Sequence, residues 1–362
     1  MPFDTRQLLA VGYLLFCGCA SALASDDTVD HCDRLTAGPE DPHRRADPVE
    51  LAEIDVAAAL EACGSARTEH PNEPRLHYQY GRALMAAGQE TEAHRSWRRA
   101  SVYDYEAALY ELGRPLLEWS PSQPSMAMRA SEGYELLLRA AKRGHAGAAE
   151  SLGAAHERGW GTYRDLQAAS YWYNQAVAAG SISAMHRLGR LLLKESWLKA
   201  DPKMVLQLFE NAAAAGYIDS MVALGRMYER GTGVEADPRL ALEWYRKAAE
   251  RDDAEAMVRL GRLYERGVGT GRNLTTAESW FRRAAEKGVW AGQVALARLL
   301  LEKSGWAAER EALTWLTVAA LLGDEVAEAE ARALAQRLRP IHRRAAEAAA
   351  RAWVDEFNTA RK

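Results

Sequence analysis

The chain has 362 residues, 48% hydrophobic and 27% charged, with a formal net charge of −4. That length suits two ordinary domains or one extended repeat array, and the composition is that of a folded chain. The charge balance excludes the overall basic excess by which nucleic-acid-binding chains are recognised.

In chain order, the first element reads as an export signal over residues 1–24. "MPFDTRQ" carries one Arg, "LLAVGYLLFCGCA" is apolar, and Ala22-Leu23-Ala24 offers a cleavage site before Ser25. The apolar run is too short for a membrane span, and the mature chain offers none. An alternative is lipid attachment at Cys19 within "FCGC", where Phe16 stands at a position that usually holds Leu. The expected location is the periplasm, as a soluble protein or as a lipoprotein anchored in the envelope. Cleavage removes Cys17 and Cys19 and leaves Cys32 and Cys63. In an oxidising compartment this pair is expected to form a disulfide; the other reading is two separate thiols.

Residues 25–73 form an acidic N-terminal segment. Ser25 to Pro48, rich in Pro, Gly and charge, is expected to be loop. "DVAAALEACGSARTEHP" reads as a capping helix with Asp55 as N-cap. Residues 74–145 read as two divergent helical units, and residues 146–324 as a repeat with a 36-residue step. Gly153, Gly189, Gly225 and Gly261 hold one column. Trp172, Leu208, Trp244 and Trp280 hold another, and Ala176, Ala212, Ala248 and Ala284 a third. A weaker copy carries Ala297 and Ala320.

Each unit reads as two short amphipathic helices. The column glycine lets the paired helix approach closely, and the Trp and Ala columns are expected to form a core face. Asp165, Asp201, Asp237 and Asn273 are expected N-caps of the second helices, with Pro202 and Pro238 at the first helical position. Gly159, Gly231 and Gly267 close the first helices; Gly161, Gly233 and Gly269 make the turn. Gly180, Gly216 and Gly288 end the units, and Asp252 takes that place in one of them. In "ERGVGTGRN" the alternating Gly267, Gly269 and Gly271 could suggest a phosphate cradle. The sister loops "ERGTGVEAD" and "ERGWGTYRD" make it repeat punctuation instead, and Gly271 is private to its copy. Residues 325–362 read as two capping helices broken at Pro340. Arg337, Arg339, Arg343 and Arg344 cluster there as solvated cap surface or, alternatively, as a patch for phosphate or an acidic partner.

The pattern L-G-x-x-Y-x-x-G-x-G-V…D…A…W-Y-x-x-A-A-x-x-G resembles the Sel1-like repeat, a relative of the tetratricopeptide repeat. "EPRLHYQYGRALMAAGQETEAHRSWRRASVYDY" is similar to a tetratricopeptide unit, with Gly81, Ala83, Ala93, Trp97 and Ala100 in the expected roles. The "KESWLKAD" loop departs by lacking G-x-G, and His156 replaces the usual Tyr. The resemblance implies an all-α superhelical solenoid of helix-turn-helix repeats. It also implies a concave surface that holds a segment of another protein, and a non-enzymatic adaptor or regulator. Exported relatives of this type include regulators of sensor proteins and scaffolds in polysaccharide export.

Chemistry is sparse. The nine histidines are scattered, no metal-ligand spacing occurs in the mature chain, and no cofactor motif is present. Ser196 and Lys199 match S-x-x-K, and Lys303-Ser304-Gly305 resembles K-T-G of penicillin-interacting enzymes. These lie in loops of repeats three units apart, and solenoid units contact only neighbours, so no shared hydrolytic site is expected. No catalytic, cofactor or metal residue is therefore assigned. Trp160, Trp197 and Trp306 fall between first and second helices of three units. They are the candidate partner-binding residues, the alternative being that each packs over a helix end.

Overall fold

The computed structural model describes residues 27–117, 125–195, 201–303 and 305–360. Every regular element among them is helical, and the fold is an all-α helical repeat solenoid. The chain divides into two compact units, residues 1–191 and 192–362. The signal segment with Cys17 and Cys19, and also Ser196, Trp197, Lys199 and Ser304, lie outside the described residues.

The first unit opens with α1 (27–36), a 3-10 turn at Leu51–Glu53 and α2 (Val56–Glu69). Three helical hairpins follow: α3 (Pro74–Ala86) with α4 (Glu90–Ser101), α5 (Glu106–Leu117) with α6 (Ser125–Lys142), and α7 (Ala146–Arg158) with α8 (Leu166–Ala178). Helix α9 (Ile182–Lys194) contains the division between units. The second unit continues with α10 (Pro202–Ala214), then α11 (Ile218–Arg230) with α12 (Pro238–Glu250), and α13 (Ala254–Arg266) with α14 (Leu274–Glu286). It ends with α15 (Trp290–Glu302), α16 (Trp306–Leu321) and the capping pair α17 (Glu325–Arg337) and α18 (Pro340–Ala360).

The punctuation read from the sequence is what starts and stops these helices. Asp165, Asp201, Asp237 and Asn273 each accept a backbone N–H of the following first turn, and Pro202 and Pro238 occupy N1. The first helices end on left-handed glycines such as Gly267, at φ 72°, and Asp252 takes φ 73° where its sister copies have glycine. The second glycine of G-x-G is needed for a different reason. A Cβ on Gly269 would lie 2.3 Å from the Pro238 carbonyl oxygen, at the start of the preceding repeat's second helix. Gly271 has open space around it and does not sit at positive φ. Two backbone donors of this loop close it onto the first helix: Val268 N–H bonds to Leu263 O and Asn273 N–H to Tyr264 O.

Two expectations are corrected here. The Trp column is not the deepest part of the core. Trp172, Trp244 and Trp280 are half-buried, whereas the next residue in each copy, Tyr173, Phe209, Tyr245 and Phe281, is fully buried. Tyr173, Tyr245 and Phe281 lie on the column glycines: a Cβ on Gly153, Gly225 or Gly261 would meet its ring at 2.5 Å. The helical repeat alone does not say which of two adjacent aromatics turns inward; the bare glycine opposite does. Burial of each ring contributes about 1.5–3 kcal/mol. Lys247 and Arg283 cover the outer Trp244 and Trp280, at 4.1 and 4.6 Å from the ring centroids.

The second correction concerns the N-terminal segment, which is not all loop, since residues 27–36 are helical. Tertiary contacts hold this short polar helix. Buried Asp33 accepts from Arg75 and Gln79 of α3, and Cys32, fully buried, is bonded to Cys63 of α2. The following residues, 37–54, run as a strap against α3 and α5. Arg82 donates to Thr36 O at 2.8 Å and Val49 O at 2.7 Å, and Tyr105 OH donates to the Asp41 carboxylate at 2.8 Å.

Candidate protein-binding surface

Two histidines of the repeats are held in place by local packing. His156 is buried, its Nε2 lies 3.0 Å from Tyr134 OH, and burial lowers its pKa. His145 caps α7 through Nδ1 and is buried, which pushes its pKa down to about 4. No group of ligands suited to a metal ion occurs among the described residues. Lys303 of the K-T-G-like triplet is engaged with the Glu278 carboxylate, which also accepts from Arg282 at 3.2 Å.

The surface feature that recurs is cationic. An arginine follows the column glycine in most copies: Arg82, Arg114, Arg190, Arg226 and Arg262, with Arg298 after Ala297. All stand at equivalent places on first helices. In the first unit, Arg82 binds the strap's carbonyls and Arg190 pairs with Glu157 at 3.1 Å.

In the second unit, Arg226, Arg262 and Arg298 follow at 36-residue steps on α11, α13 and α15. Arg226 pairs with Glu255 of the next first helix, and Arg298 pairs with Glu330 of α17. Arg259 joins the same network, 2.8 Å from Glu255 and 3.4 Å from Glu229, whose carboxylate also accepts from Tyr245 OH at 2.7 Å. Burial works to raise the Glu255 pKa, but the hydrogen bonds from Arg226 and Arg259 outweigh it and hold the carboxyl below its ordinary value. Among the described residues, no ion pair reaches Arg262, which is exposed. The result is a row of guanidiniums, two oriented by carboxylates and one open. Arg298 already spends Nε and Nη2 on Glu330, so of the three the open Arg262 fork is the one suited to bidentate recognition of a partner's carboxylate. The sequence carries this signal as a repeated Gly-Arg dipeptide, which matches no catalytic or cofactor motif.

Trp160 and Trp306 have local partners. Trp160 is half-buried on the cluster containing Leu109 and Leu152, with Arg158 at 4.3 Å from its ring centroid. Trp306 opens α16 rather than lying in the preceding loop. It is 58% exposed and stacks on His342 at 4.8 Å. Trp160 belongs to the first unit and Trp306 to the second; Trp197 lies outside the described residues.

The Sel1 repeat pattern matches residues 130–145, 146–181, 182–217, 218–253 and 254–289. Residues 130–289 of the chain carry Sel1 repeats. Its similarity to solved structures includes a Sel1 repeat protein from Oxalobacter formigenes, 24% identical, TM-score 0.54, covering 62% of this chain and 88% of that one. A protective antigen of uropathogenic Escherichia coli with an SLR fold is 19% identical, TM-score 0.35, over 84% of this chain and 81% of that one. An immunity protein from Pseudomonas aeruginosa is 20% identical, TM-score 0.36, over 63% and 80%. Of these three, the first alone supports the fold. No curated protein matches the chain. The matches run from within α6 to α14, so Arg190, Arg226 and Arg262 lie inside matched repeats and Arg82, Arg114 and Arg298 outside them. Sel1 repeats are generally protein-interaction modules, and no described helix is long and apolar enough to cross a membrane.

Proposed function

We propose that the chain is a non-enzymatic module that holds a protein partner on the first-helix face of its second unit. The observation that carries this reading is the Arg226–Arg262–Arg298 row, oriented by Glu255 and Glu330 and open at Arg262. Preordered guanidiniums lose little freedom when a partner engages them, and arginine is among the residues that dominate binding energy at interfaces. The setting we favour is the periplasm, with the protein acting as an adaptor or regulator, as the export signal of residues 1–24 suggests. A second setting is an envelope scaffold tethered through Cys19. Metabolic labelling with palmitate separates the two, since only the tethered form incorporates label and a Cys19→Ser change abolishes it.

The binding reading is tested by placing a photo-crosslinking residue at position 262 and, as a control, at Glu243, exposed on a second helix. One reproducible protein adduct from the native envelope at position 262 and none at 243 is expected. Equal labelling from both positions, or none from 262, counts against the proposed face. A hydrolase finds little support in the site, because the Lys303 ammonium is held by Glu278. Nitrocefin turnover lost on Ser196→Ala would reverse that judgement.

A further inference from the structure

A cavity of about 550 Å³ lies in the first unit, between the strap and helices α3 to α5. The rings of Tyr78, Trp97 and Tyr110, each nearly or fully buried, form its aromatic lining. Trp97 is fixed there by its Nε1–H, which donates to Tyr78 O at 3.0 Å. Carboxylates stand around these rings: Glu40 and Glu50 from the strap, Glu90 from the start of α4, and Glu111 from α5.

The cations present do not balance them. Two guanidiniums face four carboxylates, and Arg82 has its Nη1 and Nη2 donors on the carbonyls of Thr36 and Val49. Arg114 lies 5.4 Å over the Tyr110 centroid and 3.8 Å from Glu111. It already displays, within the chain, a guanidinium set between ring and carboxylate. No ion pair reaches Glu40, Glu50 or Glu90 among the described residues. Burial raises the pKa of Glu111 against the opposing pull of Arg114 and Arg82, and the Glu40 charge adds to the rise. Glu40 is likewise raised, first by partial burial and then by Glu150, with Arg114 opposing and Glu50 adding to the rise. An added positive charge here would offset the repulsion among these carboxylates.

We propose that this cavity binds an organic cation, an ammonium or guanidinium group, held between the aromatic lining and the Glu40, Glu50 and Glu111 carboxylates. The strap supplies two of the four carboxylates, so the segment anchored by the Cys32–Cys63 disulfide is part of the site rather than a mere cap. The proposal is independent of the arginine row in the second unit.

The test is calorimetric titration of the full chain with agmatine, with the capped tripeptide Gly-Arg-Gly, and with its neutral citrulline counterpart. Saturable binding of at least one guanidinium probe is expected, with no binding of the citrulline peptide. Glu111→Gln and Glu40→Gln, each isosteric and each checked for native helicity, should weaken binding about tenfold, as loss of one charge-assisted contact does. Glu330→Gln in the second unit should leave it unchanged. Tighter binding of the peptide than of agmatine identifies a partner's side chain as the natural occupant; the reverse identifies a free amine. The proposal is overturned by absence of saturation up to about 10 mM of either guanidinium probe, a range covering the weakest specific sites. Equal binding of the citrulline peptide, or unchanged affinity in both folded glutamine variants, overturns it too.

Discussion

Gly261 and Gly271 stand ten residues apart and should respond oppositely to the same change. A methyl on Gly261 would sit 2.5 Å from the fully buried Phe281 ring, so Gly261→Ala should cost about 1–3 kcal/mol despite alanine's better helix propensity. Gly271→Ala enters open space at an ordinary φ and should be neutral or slightly stabilising in the same thermal melts. A comparable loss in both would show that the ring-on-glycine contact is not what selects glycine. Two carboxylates give a matched pair in pH. Glu255 is held below its ordinary pKa, so its contribution is present above the unfolded-state value and lost as pH falls through the folded one. Glu255→Gln should therefore lower stability at neutral pH, by an amount that vanishes in acid. Glu111 is raised by burial, so its ionised form disfavours the folded state at neutral pH and its protonated form does not. Glu111→Gln should raise the Tm at pH 7, and the gain should shrink as pH falls into the carboxylate range. Melts of both variants from about pH 2 to pH 8, a span that reaches below the lowered carboxylate, check the two signs, and parallel curves would contradict them.

At the scale of elements, helices were legible wherever a local device defines them. Asp237, Pro238 and Gly267 fix boundaries through bonds and backbone angles that span a few residues, so residue spacing revealed them. What spacing could not reveal was decided by distant partners. Residues 27–36 are helical because Asp33 meets Arg75 and Gln79 across more than 40 positions, a contact with no local signature. Phe281 rather than Trp280 points inward because Gly261 leaves room for it. The arginine row was visible as a Gly-Arg dipeptide, yet its meaning depends on Glu255 and Glu330, which lie 29 and 32 residues from their partners. The disulfide joins α1 to α2, with a sequence separation of 31. By the chain-entropy relation such a loop contributes about 3–4 kcal/mol. Replacing both cysteines by serine should release the strap. Limited proteolysis should then cut first within residues 37–54, while the second unit keeps its protection. Cleavage appearing first in the second unit would contradict that assignment.

For the whole molecule, stability and binding should be separable, because repeat units contribute locally. The Arg226 and Arg298 pairs are partly exposed and contribute little to folding, so removing their charge should spare the fold while removing the surface. The most direct measurement is partner capture from the native envelope by the wild-type chain and by an Arg226→Gln, Arg262→Gln, Arg298→Gln variant of matching helicity. The account predicts one reproducible partner whose apparent affinity falls at least about tenfold in the variant, equivalent to ~1.4 kcal/mol. Capture of the same partner with undiminished affinity by the folded variant would contradict it.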